Sequence, residues 1–159
     1  MSAGAAHKHK PIVVDAAVAS KWLLRDETQL EAADALLRAH NSGKVTLTAP
    51  QQIEVEVASS VRKAVLNGRV GRSRGDEPLT EWLDTSAVRL QLGPTTPFLP
   101  AAWTLSFRLG ISLFDGLYIA LAEELGIDVI VADDRLLRSA AGRLPFVHAL
   151  SGYTLGTMG

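Results

Sequence analysis

Apolar residues along this chain follow two rhythms. Short runs occur in "PIVVD" (11–15), "KVTLTAP" (44–50), "VRLQL" (88–92), "DVIVAD" (128–133) and "PFVHAL" (145–150). Three of these are rich in Val and Ile, the pattern of strands buried on both faces of a parallel sheet. The stretches between them have helical spacing. "ASKWLLRDETQLEAADALLRAHNSG" holds one or two helices and stops at Gly43, a normal helix end. "QQIEVEVASSVRKAVLNG" follows Pro50 and ends at Gly68, and "LTEWLDTS" and "PFLPAAWTLSFRLG" are further helical stretches. "SLFDGLYIALAEELG" ends at Gly126 and "DRLLRSAAG" at Gly142. Strands alternating with helices predict an α/β fold: a three-layer sandwich with a mainly parallel central sheet of about five strands flanked by helices. Residues 1–10 read as a flexible tail, and 11–159 as a single domain.

A chain of 159 residues with 47% apolar and 21% charged side chains can bury a core of its own and is not disordered by composition. Its net charge of −1 argues neither for nor against nucleic acid, so a basic surface has to be local. The absence of cysteine excludes disulfides and thiolate metal sites. No apolar run approaches the roughly 18 residues that span a bilayer, and "MSAGAAHKHKPIVVD" lacks a secretory core. The expectation is a soluble, cytoplasmic protein without membrane contact.

Acidic residues stand at the junctions of these elements. Asp15 ends the first strand and Asp133 and Asp134 end "VIVAD", while Asp115 follows Ser112 by three residues at a helix start. Each has an ordinary explanation as a helix cap. One cap needs one Asp, however, so of the pair at 133 and 134 one is left over. In a doubly wound sheet, sites form beyond the carboxyl ends of the strands. If the first strand and "VIVAD" are neighbours, Asp15 and Asp133 emerge on the same rim. With Asp115 and an acid after Pro50 they would make four carboxylates in one pocket, which repel and raise one another's pKa. A divalent cation removes that conflict, and all-oxygen ligation suits Mg²⁺ or Mn²⁺.

The order "IVVDAAVA", "AP" followed six residues later by "EVASSV", then "SLFDGLYIALAEELG" and "VIVADDRLLRSA" resembles PIN-domain ribonucleases of the VapC toxin type. The resemblance covers about residues 12 to 150 and is most specific in "DGLYIALAEELG" followed by "VIVADDRLL". It implies a PIN-like fold with Asp15, Glu56, Asp115 and Asp133 as the catalytic, metal-holding acids. It further implies RNA cleavage dependent on Mg²⁺ or Mn²⁺, a homodimer, and a cognate antitoxin protein that neutralises the toxin. Two positions depart from the family. Ala17 stands where a Ser, Thr or Asn is frequent, and Val131 where a Thr is frequent.

The choice between Glu54 and Glu56 divides two lines of argument. On a helical wheel of about 100° per residue from Ile53, Val57, Val61 and Val65 fall at about 40°, 80° and 120°; Glu54 lies at about 100°, and Glu56 at about 300°. Periodicity picks Glu54 as the inward acid, whereas the family spacing picks Glu56. The spacing is preferred, because residues 51 to 54 lie at a helix edge where the wheel carries least.

"RKAVLNGRVGRSR" (62–74) holds Arg62, Lys63, Arg69, Arg72 and Arg74 with no acid between Val57 and Gly75. It is a candidate contact for RNA phosphates or for the protein partner, against the ordinary reading of a solvated helix end. Trp22, Trp82 and Trp103 fall in helical stretches and read as core or interface packing, with Trp22 close enough to Asp15 to serve a dimer or antitoxin surface. Other carboxylate-rim folds lack support. Lys occurs only at 8, 10, 21, 44 and 63, which leaves a phosphoacceptor receiver without its late-strand lysine. "DAAV" is not the Asp-x-Asp of a haloacid-type phosphatase, and no Gly-x-Gly-x-x-Gly follows the first strand.

Overall fold

A computed structural model describes residues 10–71, 76–84, 90–140 and 142–153. Five strands, β1 (Lys10–Val14), β2 (Val45–Pro50), β3 (Gln91–Gly93), β4 (Val129–Val131) and β5 (Val147–Ala149), form one sheet in the order β3-β2-β1-β4-β5. All four pairings are parallel, with Ile12 opposite Leu47 and Val14 opposite Ile130. The sheet is thus wholly parallel. β1 takes in Lys10, a residue assigned to the tail by composition, and β3 begins at Gln91, later than "VRLQL". Ile12, Val13, Val14, Leu47, Ile130 and Val131 are fully buried, as strands covered on both faces require.

Among the described residues seven α-helices flank the sheet: α1 (Ala16–Ser20), α2 (Leu30–Asn41), α3 (Ile53–Leu66), α4 (Asp76–Asp84), α5 (Leu99–Leu109), α6 (Leu113–Leu125) and α7 (Asp134–Ala140). No single helix among the described residues is long and apolar enough to cross a membrane. α6 is buried continuously from Gly116 to Ala122, because it packs on β1, β2 and β4 and is covered in turn by α5. Gly116 makes that stacking possible: a Cβ there would lie 2.8 Å from the Ala102 carbonyl oxygen.

The chain leaves β1 for β2 on one side and reaches β4 on the other. The sheet therefore reverses its strand order between β1 and β4, and the crevice beyond their carboxyl ends is where open α/β sheets hold ligands.

Candidate active site

Asp15 follows β1 directly with extended backbone, so the strand passes into α1 without a loop. Its Oδ1 accepts the Val18 N–H at 2.8 Å, which caps α1, and its Oδ2 accepts the Ala132 N–H at 3.3 Å from the segment after β4. One carboxylate therefore starts a helix and ties the two central strands together at the reversal point. Asp133 repeats the arrangement, accepting the Leu136 N–H at 2.8 Å to cap α7. Asp134 opens that helix as its first residue and is exposed. Asp115 lies in the first turn of α6, where its N–H donates to the Ser112 hydroxyl at 3.0 Å.

Asp15, Asp115 and Asp133, but not Asp134, line one open cleft of about 470 Å³ together with Glu56, Gln52, Val55, Ser59, Ser60, Phe114 and Tyr118. Glu56 belongs to the first turn of α3, so all four acids of the cleft stand at the start of a helix or cap one. Its Oε2 accepts the Tyr118 hydroxyl at 2.7 Å. Gln52 Nε2 donates to the Phe114 carbonyl at 3.2 Å, and Gln52 Oε1 accepts the Thr95 hydroxyl at 3.3 Å. Tyr118 and Gln52 escape a motif-based reading, yet the spacing holds their signal: Tyr118 is three residues after Asp115, and Gln52 four before Glu56.

Glu54 is elsewhere. It lines a separate pocket with Trp82, Leu83, Leu90 and Leu92, and its backbone carbonyl accepts the Trp82 Nε1–H at 3.2 Å. α3 is already helical at Ile53, so the wheel does apply at Glu54. It points that residue along the flank facing α4 and not into the acid cleft.

The carboxylates perturb one another. Burial pushes the Asp15 carboxyl up to about 7, against the hydrogen bonds from Val18 and Ala132, and the charges of Asp115 and Asp133 add to the rise. Asp115 is raised by desolvation and by Asp133, while the Ser112 hydroxyl and the Arg135 charge oppose. Glu56 is raised by desolvation and by Asp115, with the bonds from Tyr118 and Gln52 opposing. Burial, then the Glu56 charge, keeps the Tyr118 phenol protonated.

Among the described residues no three Asp, Glu or His side chains are gathered at the spacing of a closed metal shell. Mg²⁺ does not require one, since it keeps several waters and takes one or two carboxylates. The donor set here is all oxygen, and its members destabilise one another's ionised forms, which a cation would relieve. The residues therefore fit a hard divalent ion held directly by one or two of Asp15, Asp115 and Asp133 and otherwise by water, with Glu56 standing beside them.

Of the basic segment, Arg62 and Lys63 are exposed on α3. Arg69 is engaged within the fold: its Nε and Nη2 donate to Asp26 at 2.7 Å, and Nη2 also meets Glu27 at 3.3 Å. Arg72 and Arg74 lie outside the described residues. Trp22 is buried and donates its Nε1–H to the Ala33 carbonyl at 2.9 Å, which removes it from any surface. Trp82 is buried as well, while Trp103 is exposed on α5 with its ring centroid 5.2 Å from that of Phe107. Ala17 lines the cleft. Val131 is fully buried in β4.

The family model of the PIN domain matches residues 12–142. The chain is 31% identical over 136 residues to the VapC ribonuclease Mb0985 of Mycobacterium bovis, covering 84% of this chain and 94% of that one. It is 32% identical over 128 residues to ribonuclease VapC12 of Mycobacterium tuberculosis, covering 80% and 91%. In structure it resembles PAE2754 from Pyrobaculum aerophilum, with a TM-score of 0.62 at 20% identity over 90% of this chain and 85% of that one. It also resembles Mycobacterium tuberculosis VapC20, a toxin that cleaves the sarcin-ricin loop, with a TM-score of 0.56 at 16% identity over 81% and 95%.

Proposed function

The chain belongs to the PIN-domain family, and from that premise we propose that it is an endoribonuclease of the VapC toxin type, hydrolysing RNA phosphodiester bonds with Mg²⁺ or Mn²⁺. The observation that carries this reading is the meeting of Asp15, Glu56, Asp115 and Asp133 in one cleft at the reversal point of the sheet.

When bound, the ion supplies charge neutralisation at the phosphoryl oxygens and a more acidic water. Asp15, Asp115 and Asp133 are the residues that would hold it. The carboxylates of Asp15 and Asp133 are fixed by backbone N–H donors, and Asp115 stands in the first turn of α6. Glu56 is half-buried and held by Tyr118, and a carboxylate with raised proton affinity is suited to accept a proton from the attacking water. The bond to phosphorus forms from that water's oxygen as its proton passes to Glu56, and the bond to the ribose oxygen breaks in line with it, the departing oxygen taking up a proton from solvent.

On the same reading the partners are an RNA substrate and a cognate antitoxin protein, the chain acts as a homodimer, and its place is the cytoplasm. A second reading draws on Ala17, whose methyl lines the cleft where the family often has a hydroxyl: a PIN-like domain that binds RNA or a protein partner and cuts weakly or not at all. One experiment separates the two. Purified protein incubated with RNA in Mn²⁺ should cut it, EDTA should stop the cutting, and Asp115→Asn should abolish it. Binding without turnover in Mn²⁺ supports the second reading.

A further inference from the structure

Two apolar side chains stand exposed at the rim of the acid cleft. Phe114, the second residue of α6, is 57% exposed, and Val55, in the first turn of α3, is 70% exposed. Single exposed apolar residues need no explanation in general. These two line a cavity whose other walls carry carboxylates. Nor is Phe114 on a loose segment: its carbonyl accepts the bond from Gln52, and the next residue is tied to Ser112. A ring presented at a fixed point beside the reacting centre is a platform for a flat partner, and every nucleobase has such a face.

The cleft also continues. Val55 and Ser59 line a second open cavity of about 450 Å³ between α3 and α4, whose walls include Leu79, Arg62 and Asp76. Arg62 is exposed and forms no ion pair among the described residues, in contrast to Arg69. It stands six residues after Glu56 on the same helix, about 9 Å along the axis. Asp76 adds a negative charge to this groove, so attraction for an anion there has to come from Arg62 itself.

We propose that cleft and groove form one track for single-stranded RNA, in which a base flanking the scissile phosphate stacks on Phe114 and the strand passes Val55 and Ser59 to bring a neighbouring phosphate to Arg62. The track rests on the ribonuclease reading above. It selects unpaired segments, because a base inside a duplex has no free face to offer.

The test is steady-state cleavage of a short unstructured RNA in Mn²⁺, with the cut site mapped, and the same RNA carrying an abasic nucleotide beside the cut. Phe114→Ala should lower kcat/KM about tenfold, within the range for losing one base–aromatic stack. Phe114→Trp should keep activity, and Phe114→Leu, which restores apolar area without a ring, should not. The abasic RNA should be cut about tenfold more slowly by the wild type and no more slowly by Phe114→Ala than intact RNA is. Arg62→Gln should raise KM and reduce the dependence of log KM on log salt by about one. Full activity in Phe114→Ala, or losses that multiply with the abasic site, overturns the track and leaves the ribonuclease reading standing. Unchanged kinetics with an altered oligomeric mass assigns Phe114 to a contact with a second copy, which also overturns it. A wild type that cuts no RNA in Mn²⁺ removes the ribonuclease reading and the track together.

Discussion

The Tyr118 hydroxyl donates to Glu56 Oε2 at 2.7 Å, joining two helices through residues 62 positions apart in the chain. A hydrogen bond to a charged group is worth roughly 1.5–3 kcal/mol, and this one fixes a side chain that is only half-buried. Tyr118→Phe keeps the ring that fills the core and loses only that bond. The expected result is a fall in kcat of about tenfold or more with KM little changed, since transition-state placement and not substrate affinity is lost. Equal loss in both parameters would assign Tyr118 to packing alone.

Glu56→Gln should cost far more activity than Glu54→Gln, because Glu54 faces α4 and Trp82 while Glu56 lines the acid cleft. Both purified variants measured in the same RNA assay decide the ranking. The reverse order would mean that the acid cleft is not where the reaction occurs.

Asp15 makes stability depend on pH. Its carboxyl is raised from 3.8 to about 7 in the fold, so the folded state holds a proton that the unfolded chain releases earlier. Stability from this group is therefore fully present below about pH 4 and declines as pH rises through about 7, in the absence of a divalent ion. Mn²⁺ should flatten or reverse that decline by stabilising the ionised form. Melting temperatures across this range, with EDTA or Mn²⁺, test it, and Asp15→Asn should remove both the decline and the response to metal. A metal-free protein that gains stability from pH 4 to 7 on Asp15's account would contradict the assignment.

Gly116→Ala sets two effects against each other. Ala is the better helix former by about 1 kcal/mol. Its Cβ would lie 2.8 Å from the Ala102 carbonyl, a backbone atom that cannot rotate away. Overpacking of this kind costs about 1–3 kcal/mol, so clash should win and lower Tm, by roughly 2–4 °C for each net kcal/mol in a chain of this size. Because Asp115 is the adjacent residue, cleavage should fall as well. A higher Tm in Gly116→Ala would mean that α5 and α6 part without penalty.

The order of strands and helices is legible in the sequence because buried parallel strands are continuous apolar runs and the helices between them stop at glycines. Gly126, for example, ends α6 at φ 64. Element ends are less so: "DVIVAD" spans six residues and β4 only Val129–Val131, with Asp133 beyond it turned to capping α7. The acids of the cleft are readable as a set, through the strand-end rule and the family motif together. What they touch is not. Nothing local in "RVGRSR" tells that Arg69 reaches Asp26 across 43 residues, or that Trp22 turns inward to the Ala33 carbonyl. The wheel at Glu54 misleads for a related reason: an apolar stripe marks what is covered but not which neighbour covers it, and there the neighbour is α4.

Asp15 and Asp133 each cap a helix with the same side chain that lines the cleft. A library of random substitutions screened for lost cleavage will therefore confuse two kinds of failure at these positions, chains that cannot react and chains whose helix no longer starts. Asparagine separates them, because it is close in shape, retains an oxygen that accepts the capping backbone N–H and gives up the charge. At position 15 asparagine keeps the Val18 bond and gives up the one from Ala132, whereas an inactive variant with Asn at position 133 retains its cap on Leu136, should fold as well as its parent without metal, and so can stand as the silent counterpart for capturing whatever the cleft binds.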